Sequence, residues 1–442
     1  MYNPQIETME QTEMNSLQFS RLQKTIESVY ENVQFYRKKF EELGIEPEDI
    51  KSLEDITKLP FTIKKDLRDE YPFGLFAVPQ SEIVRIHGSS GTSGKPTVVG
   101  YTKNDIEMWA EVVARSIAAA GGKKADIFQN TYGYGLFTGG LGLHYGAEAL
   151  GASVVPMSVG NTERQIMLIE DFKPRGISGT PSYILNIAEK MREMGLDPRD
   201  SSLEYGVFGA EPWSEEMRDR LEEELGIKAV DIYGLSEIIG PGVSVECHEA
   251  QDGLHVQEDH FFIEVLDPNT LEPVADGEVG ELVFTSLTKE AFPVIRYRTG
   301  DLSSITREKC LCGRTTTRMA RVKGRTDDMI IIGGVNVFPS EVERVLLQIE
   351  ELAPYYQIHL VKKKTLDRVE LHVEVDESFN QLIIGDLNHQ LVVEMKNKIK
   401  KLMKSTCLVS MDIVCNVPKA IPRSEGKAIR IVDRREKEEV YA

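Results

Sequence analysis

Between two short β-like runs lies His87-Gly88-Ser89-Ser90-Gly91-Thr92-Ser93-Gly94-Lys95-Pro96, which sets three glycines, four hydroxyls and one lysine side by side. Glycines let backbone N–H groups turn inward without a Cβ in the way, hydroxyls add donors, and the lysine brings positive charge. That combination fits a polyanion such as a nucleotide triphosphate. The Walker A pattern, G-x-x-x-x-G-K-[ST], fails here twice: Ser89 occupies its first glycine position and Pro96 its Ser/Thr position. Val98 and Val99 then read as strand, where a Walker loop would run into a helix. A plain Gly/Ser linker is the bland alternative, but linkers seldom set a lysine beside a proline.

The elements that must hold this loop follow from hydrophobic spacing. Residues 15–45 read as helix, with Leu17, Phe19, Leu22, Ile26, Val29, Tyr30 and Val33 near helical period. From about Ser81 to Leu225, strand-like runs (127–131, 153–157, 205–208) alternate with amphipathic helices (107–119, 163–172, 183–194, 215–225), which favours a parallel sheet covered by helices. Near His260 the pattern changes to strands 260–266 and 281–286 joined by a turn-rich loop, as in an antiparallel or barrel-like piece. The last 110 or so residues read as a small α+β unit: helix 340–347, strands 357–361 and 369–375, a helix around 386–403 and strand 409–414. The expected fold is therefore α/β, with an N-terminal domain over 1–326 and a small C-terminal domain over 327–442.

At 442 residues, 41% apolar and 28% charged, the chain can bury a large core. A net charge of −19 argues against nucleic acid or an anionic membrane as partner. No stretch of about 18 apolar residues marks a membrane span, and residues 1–14 lack the basic and apolar regions of a signal peptide; a cytoplasmic enzyme is expected. Five cysteines, an odd number, suit a reducing compartment.

Further motifs follow the loop: Phe208-Gly209-Ala210-Glu211-Pro212, Tyr233-Gly234-Leu235-Ser236-Glu237, Tyr297-Arg298-Thr299-Gly300-Asp301, Gly324-Arg325-Thr326-Asp327-Asp328 and Arg423-Ser424-Glu425-Gly426-Lys427. Each is weak alone; their order and spacing resemble the adenylate-forming superfamily of acyl-CoA synthetases. Within it, Tyr132-Gly133-Tyr134-Gly135-Leu136-Phe137-Thr138-Gly139-Gly140 and Phe338-Pro339-Ser340-Glu341-Val342-Glu343 are similar to phenylacetate-CoA ligases, over about residues 15–435.

The resemblance implies a role for each piece. Ser89, Ser90, Gly91, Thr92, Ser93, Gly94 and Lys95 would wrap the β- and γ-phosphates as a flap. Ala210, Glu211, Pro212 and Tyr233, with Gly234 and Ser236 beside them, would hold the adenine end; Asp301 would take the ribose hydroxyls and Arg325 ribose or phosphate. Glu237 would help hold Mg²⁺, which needs oxygen ligands, although a glutamate after a Tyr-Gly turn is by itself more often a solvated loop residue. Lys427, otherwise an ordinary surface lysine, would bridge the acyl carboxylate and the α-phosphate, where two anions are forced together. Asp327 matches the hinge about which the small domain turns. Gly333 and Gly334 would then admit a pantetheine arm, although many relatives carry arginine at the position of Gly333. Tyr132, Tyr134, Phe137, Gly139 and Gly140 would line the acyl pocket, a role read against ordinary core packing.

The implied reaction joins phenylacetate, or another arylacetate such as indoleacetate, to coenzyme A through an acyl-adenylate, using ATP and releasing AMP and pyrophosphate. The alternatives are another carboxylate or another acceptor. The resemblance also suggests a homodimer. Separately, Cys247, Cys310 and Cys312 with His255 could form a Cys₃His zinc site. His248 is a close second choice to His255, and spacing alone fits free buried cysteines equally well.

Overall fold

The structure is a computed structural model, and it describes residues 1–442 apart from 90–95, 327–328, 333–334, 364–365 and 436–442. The chain opens with helices α1 (Pro4–Glu7), α2 (Gln11–Asn32), α3 (Gln34–Leu43) and α4 (Lys64–Asp69). The single helix expected over 15–45 is thus two helices. Val33 breaks it with an extended backbone (φ −115°, ψ 104°), and the turn lets Val33, Tyr36 and Phe40 all enter the core.

A hairpin of β1 (Arg85–Ser89) and β2 (Thr97–Tyr101) carries the glycine-rich loop. Then α5 (Lys103–Ala119), α6 (Gly139–Leu150), α7 (Thr162–Phe172), α8 (Pro181–Glu193) and α9 (Glu215–Leu225) alternate with β3 (Ile127–Asn130), β4 (Ser153–Val155), β5 (Gly176–Gly179), β6 (Tyr205–Gly209) and β7 (Lys228–Leu235). These five strands pair in parallel in the order β4-β3-β5-β6-β7. The sheet reaches nine strands through antiparallel β8 (Gly240–Glu246), β9 (Leu254–Val256), β14 (Arg318–Met319) and β13 (Ile305–Thr306). Local sequence sets the helix starts. Thr102 and Asp105 form a reciprocal capping box at α5, Ser214 caps α9, and Pro181 occupies the first turn of α8.

The antiparallel or barrel-like piece is a four-stranded antiparallel sheet of β10 (Phe261–Leu266), β11 (Gly280–Ser286), β12 (Tyr297–Ser303) and β15 (Gly324–Arg325). Beyond it come the hairpin β16 (Ile330–Ile332) and β17 (Val335–Val337), then α10 (Pro339–Leu346). The paired strands β18 (Leu352–Lys363) and β19 (Leu366–Val375) are followed by α11 (Glu377–Leu382), α12 (Gln390–Thr406), β20 (Asp412–Asn416) and β21 (Ile431–Asp433), in the sheet order β20-β19-β18-β21. The strand expected at 409–414 lies slightly later, because buried Val409 and Met411 pack before the strand pairs with β19.

Residues from Ile330 to Cys415 form a hydrophobic cluster of their own, distinct from the large cluster that runs from Leu22 to Met319. Among the described residues no helix is long and apolar enough to cross a membrane. The expected boundary residue Asp327, the glycines Gly333 and Gly334, and the loop residues Ser90, Gly91, Thr92, Ser93, Gly94 and Lys95 lie outside the described residues.

Candidate active site

The C-terminal ends of β6 and β7 open into a cavity of about 380 Å³, the edge at which open α/β sheets place their ligands. Close packing shapes its floor. A Cβ on Gly209 would stand 2.2 Å from the Ile232 carbonyl oxygen, so glycine lets β6 and β7 approach. Ala210 then turns the chain with φ +67° and sends Glu211 and Pro212 along the cavity wall. On β7, Tyr233, Gly234 and, just after it, Ser236 and Glu237 line the same space.

Asp301 arrives from the other sheet. Its cross-strand partner is Arg325, whose guanidinium donates to Asp301 Oδ1 at 2.7 Å, while the Tyr233 hydroxyl donates to Oδ2 at 2.7 Å. Three residues from distant segments thus share one buried carboxylate. Burial and the Asp301 charge hold the Tyr233 phenol well above its usual range, so it stays a donor. Burial also raises the Glu237 carboxyl; hydrogen bonding to its own backbone, the charges of Lys64 and Arg325, and a bond to Ser89 oppose that shift.

Lys427 reaches the cavity from the loop before β21. Its neighbours are anchored: Thr180 donates to the Gly426 carbonyl at 2.9 Å, and the Ala428 N–H donates to Glu211 at 2.9 Å. Glu211 also accepts from the Ser182 N–H at 2.8 Å and hydroxyl at 2.6 Å, so its carboxylate serves as a bracket between two segments. Of the glycine-rich loop, Ser89 lines the cavity. Its strand is pinned by the Gly88 N–H donating to the Leu136 carbonyl at 2.9 Å.

Of the residues expected at an acyl pocket, Tyr132, Phe137 and Gly139 line the cavity, together with Thr138 and Leu143. Tyr134 and Gly140, expected there, do not. The Tyr134 hydroxyl accepts from the Asn130 side chain at 2.8 Å and pairs with His144 Nδ1 at 3.1 Å. Gly140 backs onto Gly133, whose carbonyl oxygen would be 2.5 Å from an added Cβ. Lys64 and Arg68 on α4, unremarked in the sequence, add two cations to the lining. Both belong to a short helix with no motif of its own, and only the fold carries it to the cavity.

A model of the AMP-binding enzyme family matches residues 21–288, and one of the AMP-binding enzyme C-terminal domain matches residues 334–435. The phenylacetate-coenzyme A ligase of Thermus thermophilus is 54% identical over 98% of this chain and 100% of its own length. The ligases of that name from Escherichia coli and Pseudomonas putida are 52% and 51% identical, each over 97% of both chains. The chain belongs to the phenylacetate-CoA ligase family. Among solved structures, a 2-hydroxyisobutyryl-CoA ligase in the postadenylation state matches with TM-score 0.91 and 31% identity, over 97% of this chain and 91% of that one. The same enzyme in the thioesterification state, with adenylate and CoA, matches with TM-score 0.72 and 32% identity, over 98% and 92%.

On the far side of this family member's nine-stranded sheet, Cys247, His255, Cys310 and Cys312 bring four ligand atoms within 4.8 Å of one another. His248 stands apart, its Nδ1 paired with the Ala119 carbonyl at 2.9 Å. A tetrahedral zinc with bonds of about 2.3 Å to sulfur and 2.0–2.1 Å to nitrogen needs S–S edges of roughly 3.8 Å and S–N edges of roughly 3.6 Å. Cys247 and Cys310 stand 3.7 Å apart, and Cys312 is 3.4 Å from His255 Nε2. The other ring nitrogen, Nδ1, pairs with Thr316 at 3.2 Å, the kind of outer contact that orients a metal-binding histidine.

Proposed function

We propose that the protein is an ATP-dependent phenylacetate-CoA ligase. Carboxylate and ATP form an acyl-adenylate and pyrophosphate, and the CoA thiol then displaces AMP. The observation that carries this reading is the meeting of Lys427 with Tyr233, Glu237, Asp301 and Arg325 in one cavity. No protein nucleophile is needed for either step, so the residues act by positioning and charge.

Asp301 is an acceptor for ribose hydroxyls, with Tyr233 and Arg325 fixing its orientation. Ala210, Glu211 and Pro212 form the slot beside it for the adenine ring. Lys427 stands where the carboxylate oxygen and α-phosphate must meet, and a cation there offsets the charge that gathers as they approach. Ser89 begins the loop that would follow pyrophosphate out, with Lys95 as its cation. A magnesium ion, when bound, supplies further neutralisation of the phosphates, and the buried Glu237 carboxylate is the oxygen ligand placed to hold it. Tyr132, Phe137, Gly139 and Leu143 offer aromatic and apolar walls for an aryl ring.

The closer match to the postadenylation structure agrees with Lys427 being inside the cavity. In this reading residues 327–442 turn about Asp327 between the two steps and bring Gly333 and Gly334 to the CoA channel. The cysteine cluster fits a structural zinc that clamps the loops at 247–255 and 310–312, away from the reacting atoms. Pyrophosphate release and thioester formation, measured across arylacetates, other carboxylic acids and acceptors with ATP, test the activity. Thioester formation that depends on CoA and is fastest with phenylacetate is expected; adenylation with no thioester under any arylacetate would overturn it.

A further inference from the structure

Among the described residues no side-chain bond holds Lys427 in the cavity; the segment around it is held, and that segment lies along α8. The contacts run antiparallel to the helix. Lys419 pairs with Glu193 at the end of α8, and Arg423 pairs with Glu189 one turn earlier through two bonds of 3.0 Å. At the start of the helix, Arg430 reaches the Ser182 hydroxyl at 3.5 Å, and Thr180 holds the Gly426 carbonyl. Glu189 and Glu193 are four residues apart, so they project from the same face. Glu189 also accepts from the Tyr355 hydroxyl at 2.9 Å, which ties β18 to the same point.

Arg423 has a second carboxylate, Glu374, which belongs to the C-terminal cluster's own sheet. Its two bonds to Glu374 are 2.8 and 2.7 Å, and its guanidinium lies 3.4 Å over the Tyr355 ring. The two partners differ in setting: the Glu374 side chain is 1% exposed and that of Glu189 32%. If the segment moves away from α8, Arg423 keeps Glu374 and the ring, and Glu189 gains water. Neither charge is stranded in an apolar interior, so the contact can be broken without the penalty of an unpaired buried ion. The pair at Lys419 is more exposed still, at 59% and 34%. Such contacts are weakened by salt.

We infer that Glu189 and Glu193 are positioning residues: α8 is a detachable rail that holds residues 419–430 in the pose where Lys427 enters the cavity, and its release precedes the second half-reaction. This rests on the two-step reading above. The rail thus favours adenylation and carries no weight once the adenylate exists.

The test uses the full-length protein and the variants Glu189→Gln and Glu189→Gln/Glu193→Gln, with Glu204→Gln, on the opposite end of the sheet, as control. Pyrophosphate exchange with phenylacetate is expected to fall about tenfold in the single variant and further in the double, since hydrogen bonds to charged partners carry most of the contact. Thioester formation from supplied phenylacetyl-adenylate and CoA is expected to hold or rise, with the melting temperature unchanged. Raising salt should slow exchange more than thioester formation in the parent and lose that selectivity in the double variant. Equal loss of both half-reactions, or no loss of exchange, overturns the rail. Amide hydrogen exchange over residues 419–430 supplies a readout independent of substrate. It speeds up in the variants if α8 holds the segment, even should phenylacetate prove the wrong acid; unchanged exchange there overturns the rail by itself.

Discussion

Asp301 already has both oxygens engaged, by Arg325 and by Tyr233. Its orientation is therefore set before any nucleotide arrives, which lowers the ordering cost of binding. Asp301→Asn keeps the shape and removes the charge to which Arg325 donates. The KM for ATP is expected to rise about tenfold or more, as for loss of a charged hydrogen-bond partner, while Tyr233→Phe, which loses one bond, raises it less. Initial-rate kinetics in ATP distinguish the two. Lys427→Ala is expected to cut adenylation about a hundredfold or more, the scale of losing one preorganised charge partner, yet leave thioester formation from supplied adenylate largely intact. Equal loss of both steps would remove that lysine from the first step.

At the scale of elements, two junctions decide whether these residues meet. The first is the start of α6, where Gly140 packs against the Gly133 carbonyl and Asn130 donates to the Gly140 carbonyl at 2.7 Å. Gly140→Ala forces that turn apart and is expected to destabilise the protein by about 1–3 kcal/mol, with a larger effect on acyl-substrate KM than on ATP KM. Thermal melting and kinetics check both. The second is the cysteine cluster, which joins the end of β8 to the loop after β13; Arg314 in that loop pairs with Glu7 of α1 at 2.7 Å. Metal analysis of chelator-free protein is expected to give about one zinc per chain by the ligand count, and Cys312→Ala to lose it with a lowered melting temperature. Retained half-reactions in the surviving folded fraction would agree with a structural role; a zinc-free parent protein would end the idea.

At the scale of the molecule, docking of the C-terminal sheet buries Glu343 of α10 near Glu211. Burial pushes the Glu343 carboxyl up to about 7; Arg430 acts against this and the Glu211 charge adds to it. The folded protein keeps this proton between the ordinary glutamate pKa of 4.5 and about 7, where an unfolded chain would lose it. Stability from this group is therefore full below the lower value and falls as pH rises through the upper one, by on the order of 3 kcal/mol in all. Glu343→Gln is expected to flatten the decline in melting temperature across that window. An unchanged slope would mean that Glu343 titrates normally.

Most of the helices were legible in the sequence, because burial on one face imposes its period locally; three of the five parallel strands were read as short runs between them, while β5 and β7 were not, since strands buried on both faces carry no alternation. The break at Val33 was not, since a continuous apolar spacing cannot show that the chain turns to bring Tyr36 and Phe40 inward. Tyr233, Asp301, Arg325 and Lys427 stood out as candidates only through the order and spacing of motifs that resemble the adenylate-forming superfamily; each alone reads as an ordinary turn or surface residue. Tyr134 looked like a pocket residue for the same reason, and its bonds to Asn130 and His144 turned it away. Lys64 and Arg68 gave no signal, because an ordinary lysine and arginine on a short helix acquire meaning only from what lies opposite them. The sequence by itself determined the family and the three cysteines of the cysteine-histidine cluster, with two histidines left as candidates for its fourth ligand. Tertiary structure alone decided which cations face the cavity, that His255 and not His248 joins the cysteines, and that α8 holds Lys427 in place. Those are relations between segments up to hundreds of residues apart, and distance in space is set by packing, not by spacing along the chain.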